Sequence, residues 1–394
     1  MRKSYQFRIY PTKKQEVKLI RTLDTCRHLY NNALAERKRQ SDLNAIYKKL
    51  DVFPWGKPEW IDYYDQQNAL PRNKTIFQEE VHSHVLQNVL RRVEKTFANF
   101  FNGFGYPRFK GRNRYDSFTY PDSNGGYKIK DGKVILSKIG SIKIKQHRKI
   151  EGTIKTCTIK KDIDQWYAIF STDNQKTIVP VGIKTSTGID VGLSSLLTLS
   201  NGNTIEPPKF LRCSEKKLAR EQIKLSRKKK RSNNRKNQVK IVARLHRTIR
   251  NQRKDFAHKT SRALVDTYDK IVFEDLQIKN MMQNHHFAKS ISDASWYQLI
   301  NLTKSKAEYA GKIVELVNPR GTSQTCICGN HVPKTLSMRS HNCDNCGISI
   351  GRDHMSANVI ESRSITAGTA GFQTCLSNLN RDPMKREAPS ERAG

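Results

Sequence analysis

Negative charge is what this sequence has least of. Across 394 residues, 36 Asp and Glu face 72 Lys and Arg, which leaves a formal net charge of +36. So large a surplus excludes an acidic or neutral surface and selects polyanions as partners, nucleic acid first and a membrane surface or heparin-like ligand second. Hydrophobic residues are also sparse, at 36%, against an ordinary ~45–50%. A chain of this length still holds enough of them for cores in two or three domains. No run approaches the ~18 uninterrupted apolar residues of a membrane span. The basic start, Met1 to Tyr10, leads into no apolar h-region, so no secretory signal is expected. A cytoplasmic, nucleoid-associated location follows as the expectation, with thiols reduced and disulfides absent. A Walker-type loop and a G-x-S-x-G elbow are both missing, so ATP-driven and serine-hydrolase chemistry have no support.

Eight cysteines are present. Cys26, Cys157, Cys213 and Cys375 are scattered and read as packed or unremarkable thiols. The other four fall within 21 residues, as Cys326-Ile-Cys328-Gly and Cys343-Asp-Asn-Cys346-Gly. Two pairs about fifteen residues apart have the spacing of a zinc ribbon with four thiolate ligands. The first pair is one residue shorter than the usual C-x-x-C, which tightens its chelate loop. His331 and His341 could stand in for a thiolate, and a metal-free finger is the bland alternative.

Periodicity divides the chain. Ser4 to Ile9 alternates as a strand. Leu19, Leu23, Cys26, Tyr30 and Leu34 form one stripe of an amphipathic helix, and Val81, Val85, Val89, Val93, Phe97 and Phe100 form another, with a mixed region at 41–75 between them. From Phe104 onward, short alternating runs (Lys128–Lys130, Val134–Leu136, Ser141–Lys145, Thr153–Ile159, Trp166–Ser171) predict a small antiparallel barrel. After Lys184, strands alternate with long helices, which predicts an α/β domain. A hairpin turns at Asn201-Gly202, a buried strand runs over Lys270–Glu274, helices cover 212–268 and Trp296–Ala310, and a further strand covers Lys312–Val317. A last helix is expected at 353–362, and the final thirty residues have the composition of disorder.

Three acids stand at suggestive positions. Asp190 ends a strand between Gly188 and Gly192, Glu274 ends the apolar run Ile271-Val272-Phe273, and Asp353 opens the last helix. Acids at buried strand ends are costly unless paired or metal-bound. Three converging carboxylates would suit Mg²⁺ or Mn²⁺ and two-metal phosphodiester hydrolysis. Singly, each also reads blandly, as a turn acid, a solvated strand end and an N-cap.

Two basic features fit nucleic acid. Arg212 to Lys259 holds 19 Lys and Arg against three acids. It includes Arg227, Lys228, Lys229, Lys230, Arg231, Arg235, Lys236, Arg244, Arg247 and Arg250. These are interleaved with Leu218, Ile223, Leu225, Ile241, Leu245 and Ile249, as helices docked on one face and presenting the other to phosphates. Tyr106-Pro-Arg108-Phe109-Lys110-Gly-Arg112-Asn-Arg114-Tyr115 interleaves aromatics with cations, as stacking on bases requires; a loop with its aromatics turned inward is the alternative. His82 and His84, two apart on a helix, should face apart and chelate poorly. His285-His286 reads as a polar loop.

In order along the chain, Tyr5-Gln-Phe-Arg-Ile-Tyr-Pro, Cys26-Arg-His-Leu-Tyr-Asn-Asn-Ala-Leu, Pro107-Arg-Phe-Lys, Gly188-Ile-Asp-Val-Gly, Phe273-Glu-Asp-Leu, Ser323-Gln-Thr-Cys, Cys343-Asp-Asn-Cys-Gly and Arg352-Asp353 resemble the TnpB (OrfB-type) transposon-encoded proteins. The resemblance covers everything except the tail. It implies an α+β multidomain fold, with an N-terminal antiparallel β-barrel wedge domain (1–10 and 104–182) and an inserted helical recognition domain (11–103). An RNase H-like α/β RuvC nuclease domain (183–319 and 350–364) would follow, with a zinc-ribbon insert (320–349) and a tail at 365–394. It implies an RNA-guided endonuclease of an insertion-sequence transposon, cutting double-stranded DNA beside a short element-specific motif. Asp190, Glu274 and Asp353 would hold Mg²⁺ or Mn²⁺, Cys326, Cys328, Cys343 and Cys346 would hold structural Zn²⁺, and guide RNA and target DNA would be the partners. A nuclease-inactive RNA-guided repressor and a strand-transfer transposase are the alternatives. The sequence departs from the family in the short first cysteine pair and in His354-Met355-Ser356, where the family continues x-N-A.

Overall fold

The computed structural model describes residues 2–53, 56–123, 125–174, 177–335 and 338–364; the expected tail disorder lies outside them. The described residues form two compact units that divide between Thr177 and Ile178.

The first unit opens with β1 (Arg2–Tyr10), whose alternate residues Tyr5, Phe7 and Ile9 are buried. Helix α1 (Lys13–Leu50) starts at a Thr12–Gln15 capping box and runs well past the expected end. Residues 39–50 contain neither Gly nor Pro, so nothing stops the helix before Asp51 turns left-handed at φ 52°. Short helices α2 (Tyr63–Ala69) and α3 (Ile76–Glu79) lead to α4 (Ser83–Phe101). The expected α1 stripe is buried throughout, and on α4 burial extends from Val85 to Val93 and leaves Phe100 exposed. Then follow β2 (Ser117–Tyr120), β3 (Tyr127–Lys130), β4 (Lys133–Leu136), β5 (Gly140–Lys145), β6 (Thr153–Asp162) and β7 (Gln165–Asp173).

These strands do not close into a barrel. They form a curled antiparallel half-barrel in the order β2-β6-β7-β1-β5-β4-β3, with β2 and β3 as edges. The edge strands approach only through side chains, Tyr120 and Tyr127 ring centroids lying 6.4 Å apart.

The second unit contains β8 (Ser186–Val191), β9 (Leu197–Leu199), β10 (Thr204–Ile205), the long helices α5 (Phe210–Ser226) and α6 (Asn233–Thr267), and β11 (Lys270–Glu274). Then come α7 (Ile278–Met281), α8 (His285–Ala294), α9 (Trp296–Tyr309), β12 (Ile313–Val317), the pair β13 (Ser340–Asn342) and β14 (Ser349–Gly351), and α10 (Arg352–Ser362). The sheet order is β10-β9-β8-β11-β12, with β8, β11 and β12 parallel and β9 and β10 antiparallel. All five residues of β11 are buried, as a central parallel strand requires. His285-His286 opens α8 rather than lying in a loop. Among the described residues, no helix is long and apolar enough to cross a membrane.

Candidate active site and four-cysteine centre

Sheet register brings two of the acids side by side. Ile189 of β8 pairs with Phe273 of β11 in parallel, so the next residues, Asp190 and Glu274, stand together at the C-terminal ends of adjacent strands, the usual place for chemistry in such sheets. Asp353 sits in the first turn of α10, whose N-cap is Gly351; it is not itself the cap. Helix α10 packs on β8 because Gly188 leaves no side chain between them: a Cβ there would collide with the Ala357 carbonyl oxygen and the Glu361 backbone.

Asp190 feels the charge of both other carboxylates. Burial first, then Glu274 and Asp353, push the Asp190 carboxyl up to about 7, while Arg352 opposes the rise. Burial also raises Glu274, opposed by a hydrogen bond from the Thr322 hydroxyl and by the charge of Arg363. Arg352 Nε and Nη2 both lie 3.1 Å from Asp353 Oδ1. Sequence reasoning missed Thr322 and Arg363, which reach the site from distant positions with no local motif. Arg352 was visible only as the neighbour of Asp353. The acids do not form a collapsed ligand set; among the described residues, only the four cysteines bring three or more ligand atoms within 4.8 Å of one another. Three carboxylates, with Arg352 and Arg363 offsetting part of their charge, are a donor set that fits a hard divalent cation.

The cysteines converge despite the short first pair. Cys326 and Cys346 Sγ lie 3.5 Å apart, and Cys328 and Cys343 Sγ lie 3.7 Å apart. Thiolates ~2.3 Å from one tetrahedral zinc would stand ~3.8 Å from each other. The missing residue is absorbed by a tight turn in which Gly329 N–H bonds the Cys326 carbonyl at φ +86°. Backbone N–H groups aim at the sulfurs: that of Cys346 holds the Cys343 thiol down to about 6, and that of Asn330 lowers Cys328. His331 and His341 are not part of the cluster; buried His341 bonds the Lys334 ammonium instead. Met355, at the family's Asn position, is buried against this centre.

The cations divide by surroundings. Arg227–Arg231 form the turn joining α5 and α6, where Lys229, Lys230 and Arg231 are exposed. Lys236, Arg244 and Arg250 are exposed along α6, and Arg247 is half-buried. Arg235 is partly engaged, donating to the Leu225 carbonyl at 2.8 Å. The expected apolar line is corrected: Ile223 and Ile241 are exposed, and Gln238 and Val242 take the inner positions, Gln238 bonding Glu221. In the other unit, Arg108, Arg112 and Arg114 are exposed; Arg112 reaches Asp24 at 3.5 Å, and Lys110 lies over the Tyr30 ring. Tyr115 points inward, whereas Phe109 is exposed. His82 caps α4 from outside the helix, so its ring meets that of His84, 5.1 Å away, contrary to the expected divergence.

Comparison with known proteins agrees with this geometry. A family model described as "Probable transposase" (OrfB, IS605 type) matches residues 170–285, and one described as "Cas12f1-like, TNB domain" matches 296–360. A "Helix-turn-helix domain" model matches 1–42, although these residues form β1 and part of the single helix α1. The chain is 29% identical to the Escherichia coli protein "Putative RNA-guided DNA endonuclease InsQ", covering 98% of this chain and 97% of that one. The structure of a "Cas12f1-sgRNA-target DNA complex" shares the fold with a TM-score of 0.58 at 15% identity, covering 92% of this chain and 98% of that one. A Streptomyces pristinaespiralis protein named "Putative RNA-guided DNA endonuclease" is 32% identical, covering 100% of this chain and 98% of its own length, and on that end-to-end match the chain belongs to the TnpB/OrfB family.

Proposed function

We propose that this protein is an RNA-guided DNA endonuclease that cuts double-stranded DNA by divalent-metal-dependent phosphodiester hydrolysis. The observation that carries the reading is the register that sets Asp190 beside Glu274, with Asp353 on the helix packed against the same strand. In this reading the β8–β12 sheet with α10 is the RNase H-like RuvC nuclease domain, the half-barrel is the wedge, α1–α4 are the recognition helices, and 320–349 is a zinc ribbon. Asp190, Glu274 and Asp353 would hold Mg²⁺ or Mn²⁺, which supply Lewis-acid activation of water and charge stabilisation at the leaving oxygen. Thr322 orients the Glu274 carboxylate, and Arg352 holds Asp353 and offsets the local negative charge. No side-chain nucleophile is required. Cys326, Cys328, Cys343 and Cys346 would hold Zn²⁺ and pin the start of α10. The exposed cations of the α5–α6 turn would neutralise phosphates of the guide–target duplex, whose base pairing reads the sequence.

Asp190→Ala tests this. Cleavage of target duplex with guide RNA and Mg²⁺ should disappear, while guide and target binding stay near wild type. Undiminished cleavage by the purified variant would remove Asp190 from the chemistry.

A further inference from the structure

From Lys95 to Tyr115 there is no acidic residue, yet the stretch holds five cations and seven aromatics. The end of α4 and the following segment place several of those rings in solvent: Phe101 is 79% exposed, Phe104 68% and Phe109 53%. Contiguous exposed aromatic surface of this kind marks an interaction site. A cleft of about 330 Å³ opens here, lined by Tyr30, Asn99, Phe104, Tyr106, Arg108 and Lys110 among others.

The cleft is held in shape from both ends. The Gly103 and Phe104 N–H groups bond the Phe100 and Asn99 carbonyls. At the other end, the Asn31 amide accepts from Lys110 N–H at 2.8 Å and donates to the Lys110 carbonyl at 3.0 Å. Tyr106 stands edge-on to Phe97 and Phe100, with centroids 6.0 and 5.2 Å away. A fixed ring gives up little entropy when a ligand stacks on it. Tyr30, only 2% exposed, forms part of the cleft wall beneath these rings.

We propose that this cleft binds an unpaired nucleotide of a single strand. The base lies against Phe104 and Tyr106, and Arg108 meets the adjacent phosphate. Exposed aromatic faces and cations without acids suit a stacked base better than a duplex, whose bases are covered, or an acidic peptide, which has no ring to stack. The inference rests on the proposed function only for the class of partner, and it extends that reading to the strand that pairing leaves single.

The test uses full-length protein and an oligothymidylate of roughly 16 nucleotides, compared with a duplex of equal length over a salt series in which both bind measurably. Phe104→Ala should weaken single-strand binding about tenfold and leave duplex binding within about twofold. Arg108→Ala should lower the salt slope for single strands by about one. An oligonucleotide carrying 5-iodouracil should photo-crosslink to the peptide spanning 104–110. Wild-type single-strand binding by Phe104→Ala, equal loss on both probes, crosslinks confined to other peptides, or conversion of an oligomer to a monomer would each overturn the proposal. Because these readouts are binding alone and touch no acid of the sheet, failure here leaves the Asp190 assignment standing, and the reverse.

Discussion

Gly188 of β8 lies so close to Ala357 of α10 that no side chain fits between them. This contact sets the distance from the strand that carries Asp190 to the helix that carries Asp353. Gly188→Ala would force strand and helix apart against backbone atoms that cannot rotate away. Overpacking of this kind costs about 1–3 kcal/mol, so the second unit should melt several degrees lower. Cleavage should fall further than stability does, because the same displacement separates the carboxylates. A melting curve and a cleavage assay below the variant's transition would show both effects; an unchanged melting temperature would contradict the contact.

The acidic site also predicts a pH dependence. Asp190 titrates near 7 in the folded protein, pushed up first by burial and then by Glu274 and Asp353, instead of near its ordinary 3.8. Between those values the folded protein holds a proton that the unfolded chain has released. Stability of the metal-free protein therefore falls as pH rises from about 4 through about 7. A rise of three units corresponds to at most ~4 kcal/mol. Melting in EDTA across that window should show the decline, and Asp190→Asn should make it shallower, leaving the part that Glu274 contributes. Mg²⁺ should lift the curve most at the alkaline end, where no proton competes for the carboxylate.

The sequence was most informative where periodicity and chemistry coincide. The α1 stripe, the buried run Lys270–Glu274 and the hairpin at Asn201-Gly202 all take their expected form, because each is fixed by local pattern. Barrel closure was not legible, since whether the short edge strands β2 and β3 pair depends on sheet curl rather than on either strand's sequence. The α1 end was missed because absence of a stop signal is weaker evidence than its presence. At the site, the acids could be picked out by position, but Thr322 lies 48 residues from its partner Glu274, and no spacing rule links them.

The sulfur spacing predicts about one zinc per chain, measurable by elemental analysis of protein purified without added metal. Cys328→Ser should lose the ion as completely as Cys343→Ser, because the short pair contributes both of its sulfurs to the cluster. Retention of zinc by Cys328→Ser would show that C-x-C places only one ligand. Since metal-binding energy in such centres is folding energy, chelation should lower the melting temperature and loosen the start of α10, where Met355 packs against Cys326 and Cys343.

The basic hairpin predicts two kinds of arginine and lysine variant. Lys229 and Lys230 are exposed in the α5–α6 turn. Their joint replacement by Ala should leave melting unchanged and reduce the slope of log affinity against log salt by about two. Arg235 differs, because its guanidinium satisfies the Leu225 carbonyl near the end of α5. Arg235→Ala leaves that carbonyl to water and should lower stability by about 1 kcal/mol, with less change in slope than the lysine pair. Salt titrations of duplex binding, run beside melting curves, separate the two. If Arg235→Ala instead lowers the slope by one without touching the melt, its contact with Leu225 yields to phosphate in the complex, and the hairpin turn is remodelled when nucleic acid binds.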